Sequence, residues 1–382
     1  MDIRKVVTLD NKPNTYSVSR LNVYKQCSEK YKLTYIDKLR VFSASNSTIA
    51  GNLLHDALEV YLHSDNTNAF IPVFEKQSKV SLIKRKFVVE HINLTSFSKL
   101  YTELIEYSRD IKSLHDRASA DYTGKNAIRT GKGDVPSNPS MTSGWKAAVK
   151  NLNLDGRYRY LEDEFSQISC LDSVNLVEAF TDAYTLASNY VTPAEIVETV
   201  ALEFSLSDYN WETKEFVNPV LMPDEYGGES GIYLNGFIDW MGYVQFKGKK
   251  RFALIDYKSS KENLTVDKLE YHAQLLAYVY AVEKLLGIEV EVIGVHSLRH
   301  KKLALALVDR EILEVANRSL FSKHKQIAAG HFEKEHLPDS QYSSCLSNYG
   351  KTCEFLQHCY PKMYNYLNPN SISNQLESLL AS

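Results

Sequence analysis

Two apolar runs joined by a short basic link constrain the fold of this chain more than any other feature. The first is IYLNGFIDWMGYVQF and the second RFALIDYKS, with KGKK between them. Both are rich in β-branched and aromatic residues and have strand length. The link suits an exposed turn, so the two runs are expected to pair as an antiparallel hairpin.

Three charged residues interrupt this hairpin: Asp239, Asp256 and Lys258. Side chains alternate along a strand, so Asp256 and Lys258 share one face while Ile255 and Tyr257 take the other. The surrounding runs are strongly apolar, and a buried carboxylate without a partner is costly. Two carboxylates brought together repel unless a cation lies between them. A divalent metal such as Mg²⁺ resolves that conflict with hard oxygen ligands. It also lowers the pKa of a bound water and stabilises charge on a phosphate. A lysine two residues beyond a metal carboxylate can orient that water and steady the transition state. Taken by itself, Asp-x-Lys fits an exposed ion pair of little energetic weight equally well.

The rest of the chain supplies a frame for the hairpin. VETVALEFSLS before it, and EVEVIGVHSL and LALALVD after it, read as strands. A helix is expected near Lys268–Leu286 and another over Arg310–Ala329. The N-terminal part reads as helices. One is capped by Ser17 or Ser19 with Leu21, Tyr24 and Tyr31 on its apolar side; another starts near Gly51 with Leu54, Ala57, Leu58 and Tyr61 on one face. Helical pattern also covers Phe70 to Ile111 and Trp145 to Tyr190. Ala118 to Gly144, rich in Gly, Ser, Asn, Thr and Pro, reads as a mobile loop, either a lid or a solvated insertion. The fold class is therefore α/β: a mixed central sheet flanked by helices, with a large helical section before it.

The 382 residues suffice for one large domain or two ordinary ones, and 44% apolar with 24% charged residues is the balance of a globular protein. The formal net charge is −3, so a nucleic-acid partner would have to be held by local basic patches. Three such runs exist: Lys84 to Lys86, Lys247 to Arg251, and His300 to Lys302. Singly, each reads as a solvated face. No stretch is apolar and long enough to span a membrane, and the first residues lack the apolar run of a secretory signal, so a cytoplasmic location is expected. GKNAIRTGKGD does not make a phosphate loop, because Gly133 stands where Ser or Thr is required; any unwinding would fall to a separate helicase.

The ordered set Gly51-x3-His55, Glu203, GFID ending in Asp239, Asp256-Tyr257-Lys258 and Gln274-x3-Tyr278 resembles the PD-(D/E)xK nucleases of the RecB type. The opening YSVSRLNVYKQCSEKYKLTYI is similar to the helix that begins many of them. The resemblance implies a restriction-endonuclease-like core over residues 198–335. It is preceded by N-terminal helices (1–63) and a helical insertion (64–197), and followed by a cysteine region (336–382). It implies that Asp239, Asp256, His55 and the backbone carbonyl of Tyr257 bind Mg²⁺ or Mn²⁺, with Glu203 near the metal. Lys258 would position the attacking water, and Gln274 and Tyr278, on one helix face, would support the site and touch the DNA backbone. CRISPR-associated and phage-type exonucleases and the nuclease domains of recombination helicases are similar in pattern. They imply a DNA exonuclease on single strands or duplex ends in repair, recombination or phage DNA processing. The alternatives are an endonuclease with the same site, or an idle relative that binds DNA or protein in such an assembly.

A subset of these nucleases carries an iron–sulfur cluster held by one N-terminal and three C-terminal cysteines. Cys27, Cys345, Cys353 and Cys359 match that layout, and four thiolates suit a [4Fe–4S] cluster. Cys345 departs from the pattern, because seven residues separate it from Cys353 where the family has two. Structural zinc and free core thiols, as expected for Cys170, are the other readings.

Overall fold

A computed structural model of the chain describes residues 15–39, 45–63, 69–89, 91–125, 154–171, 174–210, 212–223, 229–259, 266–269, 272–333, 353 and 355–361. The hairpin is its centre. Strand β6 (Glu229–Phe246) pairs antiparallel with β7 (Lys249–Lys258), and Trp240 lies opposite Ile255. The turn is narrower than the basic link. It consists of Lys247 and Gly248, with φ of 48° and 75°. A two-residue turn of this kind needs left-handed backbone at both positions and matches the twist of the strands it joins.

The sheet grows from both edges of the hairpin. Along β6, β1 (Thr15–Ser17) pairs in parallel, while β2 (Ile196–Leu206) and β5 (Leu221–Pro223) pair antiparallel. A separate two-stranded ribbon is formed by β3 (Asp208–Asn210) and β4 (Glu215–Val217). On the other side, β8 (Val292–Ser297) lies parallel to β7 and β9 (Lys302–Leu307) antiparallel to β8. The result is a seven-stranded mixed sheet among the described residues.

Helices cover both faces. Before the sheet come α1 (Val18–Gln26), α2 (Ser28–Tyr31), a π-helical turn (Lys32–Ile36), α3 (Asn46–His63), α4 (Phe70–Lys84), α5 (Leu94–Lys125), α6 (Leu154–Ile168) and α7 (Leu176–Ser188). Between β7 and β8 lie α8 (Val266–Leu269) and α9 (Ala273–Leu286), the crossover that a parallel pair requires. The chain continues through α10 (Arg310–Phe321), α11 (Lys323–Ala328) and the short α12 (Leu356–Cys359). Among the described residues, no helix is long and apolar enough to cross a membrane.

Two hydrophobic cores sandwich the sheet. One joins α3 to α7 with Leu202, Trp240, Val244, Ile255 and Tyr257. The other joins α1, α9 and α10 with Ile238, Met241, Phe252, Leu254 and Ile293. The helical section before the sheet therefore forms one of its covering layers. The N-terminus of α1 is capped by Ser17, whose hydroxyl accepts from Arg20 N, and Leu21 and Tyr24 are buried as their spacing predicts; Tyr31 is buried too, but on α2, because the expected single helix breaks at the extended backbone of Cys27. Helix α3 begins at Asn46, five residues before the expected start, so Gly51 lies inside it. Helix α5 runs to Lys125, so the first residues of the expected 118–144 loop continue a helix; 126–144 lie outside the described residues.

The alternation of β6 breaks at one place. Ile238 packs in the second core and Trp240 in the first, although residues two apart on a regular strand share a face. The same switch occurs on β2, where Leu202 and Phe204 pack on opposite sides. These residues pair as Leu202–Trp240 and Phe204–Ile238, which puts Glu203 across from Asp239 at the break. Glu203 has φ 44°, rare for a residue with a side chain. Such backbone persists only where surrounding structure over-determines it, and it concentrates at functional sites.

Candidate active site

The break in the sheet gathers the charged residues. Asp239 Oδ2 accepts a hydrogen bond from the backbone amide of Tyr257 at 2.7 Å, which ties β6 to β7 beyond their last ladder pair. On α3, His55 approaches from the side of the first core. Its Nε2 lies 3.1 Å from the carbonyl of Tyr257. A carbonyl can only accept, so Nε2 carries the proton and donates. That leaves Nδ1 facing Glu203 Oε1 at 3.6 Å and Asp239 Oδ1 at 3.8 Å. One ligand atom from each of His55, Glu203 and Asp239 lies within 4.8 Å of the others, the convergence expected of a metal site.

Gly51 explains how α3 reaches the sheet. A Cβ there would sit 3.2 Å from Ser259 Oγ, just beyond the end of β7. Without a side chain the helix can lie against that strand end, and one turn later His55 meets Tyr257. The strand end is itself held. Arg299 donates to the Ser259 carbonyl at 3.2 Å and forms a bidentate pair with Asp182 of α7 at 2.6 and 3.0 Å.

Asp256 and Lys258 lie on the face expected. Lys258 Nζ donates to Asp256 Oδ1 at 2.9 Å and lies 2.8 Å from Oδ2. The contact to Oδ2 lacks hydrogen-bond geometry, so this buried oxygen has no hydrogen-bond donor. The Asp256 side chain is 5% exposed and that of Lys258 is 34% exposed, so the ammonium reaches from the buried acid toward solvent. The structure thus groups His55, Glu203 and Asp239 most tightly and pairs Asp256 with Lys258. The Tyr257 carbonyl, expected as a ligand, accepts from His55 and keeps a second lone pair. Metal-binding imidazoles commonly donate their second nitrogen to such a carbonyl.

Gln274 and Tyr278 lie on α9, with Gln274 Nε2 3.3 Å from the Tyr278 hydroxyl. A Cβ on Gly236 would sit 2.7 Å from that hydroxyl, so this glycine lets the tyrosine lie directly against β6 three residues before Asp239. Burial pushes the Tyr278 phenol up to about 12, and Asp239 and Asp256 add to the rise. His272 was not singled out from the sequence. It caps α9 by accepting from Leu275 N at 3.4 Å, and it feels both Asp256 and Lys258. Its signal in the sequence was position alone, a polar residue just before an apolar helical run.

The electrostatics follow from crowding. Burial alone lowers the pKa of His55, but Glu203, Asp239 and Asp256 outweigh it and raise the imidazole to about 9. Asp239 is raised to about 7, chiefly by burial and further by Asp256 and Glu203, against the opposing pull of His55. His55 and Asp239 therefore hold protons more readily than the free side chains do, which offsets part of the charge crowded at the site.

Cys27 caps α2, its Sγ 3.4 Å from Lys30 N, while Cys353 and Cys359 flank and end α12. Cys27, Cys170, Cys353 and Cys359 form no disulfide, Cys170 is exposed rather than in the core, and Cys345 lies outside the described residues.

Strands meeting at a break in a mixed sheet gather carboxylates, an imidazole and an adjacent lysine, the donor set that a metal-dependent hydrolase requires. The chain belongs to the PD-(D/E)XK nuclease superfamily, whose family model matches residues 15–117 and 159–360. No curated protein matches the chain. The residues fit the Mg²⁺ or Mn²⁺ that members of this superfamily commonly use. Hard oxygen donors predominate, the buried Asp256 Oδ2 has no donor, and Nδ1 of His55 faces two carboxylates.

Proposed function

We propose that this protein is a metal-dependent deoxyribonuclease, acting as an exonuclease on single-stranded DNA or duplex ends. The observation that carries this reading is the convergence of His55, Glu203 and Asp239 beside the Asp256–Lys258 pair. His55 Nδ1, Glu203, Asp239 and Asp256 Oδ2 hold the cation. When bound, it supplies a Lewis acid for the phosphate and lowers the pKa of the attacking water. Lys258 orients that water and offsets charge on the phosphoryl oxygens, and the hydrogen bond to Asp256 keeps its ammonium aimed. Tyr257 fixes Asp239 through its amide and His55 through its carbonyl. Gln274 and Tyr278 support Lys258 from α9 and touch the DNA backbone.

Exonuclease action rests on the likeness of the motifs to RecB-type, CRISPR-associated and phage-type enzymes. The same likeness supports a role in DNA repair, recombination or phage DNA processing, in the cytoplasm, beside a separate helicase or recombination protein. It also supports a structural [4Fe–4S] cluster on Cys27, Cys345, Cys353 and Cys359. The domain scheme belongs to the same reading, with the nuclease core over 198–335.

Linear single strands labelled at either end, a duplex and a circular single strand, each incubated with Mn²⁺, test the mode of action. Stepwise shortening from one end with an intact circle is expected. A cut circle would make the enzyme an endonuclease, and tight binding without cleavage would make it an idle binding protein. For the cluster, the purified protein is expected to be brown and to contain iron and sulfide; a colourless protein with one zinc would exclude it.

A further inference from the structure

Phenylalanine is buried or half-buried at every described position but one. Phe237 on β6 is 50% exposed, two residues before Asp239. A lone exposed apolar side chain is ordinary on a protein surface. Place is what sets this one apart.

Ile232, Leu234 and Ile238 of β6 point into the second core. Tyr233, Asn235 and Phe237 alternate with them and face the other way, toward the side from which α3 brings His55. The first core reaches along β2 and β6 as far as Leu202 and Trp240. Past the break, no residue of either strand joins that core. Phe237 therefore stands on the uncovered part of the face, with Asp239 and Glu203 at its boundary. Residues two apart on a strand are separated by roughly 7 Å, about the span of one nucleotide.

The ring sits on a fixed backbone. Phe237 pairs with Ser205 of β2. Two residues before it, Asn235 donates to the Ser207 carbonyl at 3.3 Å; two residues after it, Asp239 accepts from Tyr257 N at 2.7 Å. Behind it, Gly236 lies so close to Tyr278 that a Cβ would sit 2.7 Å from the hydroxyl. Four residues back on the same face, Tyr233 already has a ring against it, that of Phe216, with centroids 4.1 Å apart. Among the described residues, no ring lies against Phe237. Every base has a π face and can stack on such a ring whatever the sequence. Stacking also adds no charge, which suits an acidic reaction centre in a chain of net charge −3.

We propose that Phe237 stacks on the unpaired base of the nucleotide flanking the cleaved phosphate, and so selects single strands over paired DNA. The inference rests on the nuclease reading and deepens it, by naming a binding residue that makes unpaired bases the preferred substrate.

The test uses the full chain and fluorescent single strands, with Ca²⁺ in place of Mn²⁺ and binding read by anisotropy over a range of salt. For Phe237→Ala we expect Kd to rise about tenfold at every salt concentration. The slope of log Kd against log salt stays as it is, because no phosphate contact is lost. An abasic nucleotide is then moved stepwise inward from either end of the strand. At one position it weakens binding of the natural chain about tenfold, and there it leaves Phe237→Ala unaffected. Phe237→Trp keeps the affinity. With Mn²⁺ the loss in Phe237→Ala falls on KM more than on kcat, and Mn²⁺ affinity and melting temperature match the natural chain. Val197→Ala removes an equally exposed apolar side chain from the other end of β2 and leaves Kd as it was. Unchanged Kd in Phe237→Ala, an altered salt slope, a matching fall in Mn²⁺ affinity, or abasic strands that nowhere distinguish the two chains would overturn this inference and leave the nuclease reading intact. A natural chain that neither binds nor cleaves DNA overturns both.

Discussion

Asp256 is a carboxylate with almost no access to water, and Lys258 is what makes that tolerable. Removing only the lysine leaves the acid buried without its cation. For Lys258→Met we expect a loss of about 1–3 kcal/mol, less than for a fully buried pair because the ammonium is partly solvated. Adding Asp256→Asn is expected to recover much of that stability. Cleavage should fall at least about a hundredfold in both variants, since charge stabilisation at the transition state is lost in each. Urea unfolding beside a cleavage assay separates the two effects; recovery of activity in the double variant would contradict the catalytic roles of Asp256 and Lys258.

The same scale fixes a pH dependence. In the metal-free protein His55 and Asp239 both hold protons more tightly than in the unfolded chain. The raised imidazole contributes stability that is complete below its unfolded pKa of about 6.5 and is lost as pH rises through the folded value. The raised carboxyl acts in the same direction, its burial opposing ionisation as pH climbs from about 4. A cation needs both groups deprotonated. Mn²⁺ affinity is therefore expected to increase from about pH 6 to about pH 9, with protons released on binding. Calorimetry in two buffers of different ionisation enthalpy reads that release directly; pH-independent binding would contradict it.

At the scale of elements, α3 lies close against the end of β7 at Gly51, where even a Cβ would meet Ser259 Oγ at 3.2 Å and a larger side chain would crowd it further. Gly51→Val is expected to displace His55 from Tyr257 and to lower both Mn²⁺ affinity and cleavage roughly tenfold or more, since small misplacements are costly at a reaction centre. Far-ultraviolet circular dichroism should remain that of the natural chain. Unchanged metal affinity would mean that α3 does not position the site. The sequence made some of this readable. Asp256 and Lys258 on one face and Ile255 and Tyr257 on the other follow from strand period alone, and Leu21 and Tyr24 from helical period, whereas the break at Cys27 that puts Tyr31 on a second helix does not. Glu203 is different. Its place depends on a left-handed residue inside β2 and on a matching switch in β6, and neither leaves a local signature. The strands β1, β3, β4 and β5 were equally hidden, because three residues are too few to show a period. Gly236 and His272 matter through tertiary contacts that a single sequence does not encode.

For the whole molecule, the helices from α4 to α7 matched no motif and read as an insertion. Yet they bury Trp240, Ile255 and Tyr257 from one face of the sheet, in the same core that carries α3. A chain lacking 64–197 is therefore expected to be insoluble rather than a smaller nuclease, because its sheet would expose a large apolar face. The intact protein should unfold through that sheet in one cooperative transition, as elements sharing a core do. Two well-separated calorimetric transitions would show that the helices form a unit of their own.

In the proposed reading, the group at Asp239, Asp256 and Lys258, completed by His55 and Glu203, hydrolyses DNA with a bound divalent cation. End-labelled single-stranded DNA incubated with the full chain and a titration of Mn²⁺ tests it most directly, with Lys258→Ala and Asp256→Ala run alongside. We expect cleavage that saturates with Mn²⁺, disappears with chelator, and is lost in both variants while their folds persist. Tight DNA binding without cleavage at any Mn²⁺ concentration, or cleavage that survives in Asp256→Ala, would contradict that claim.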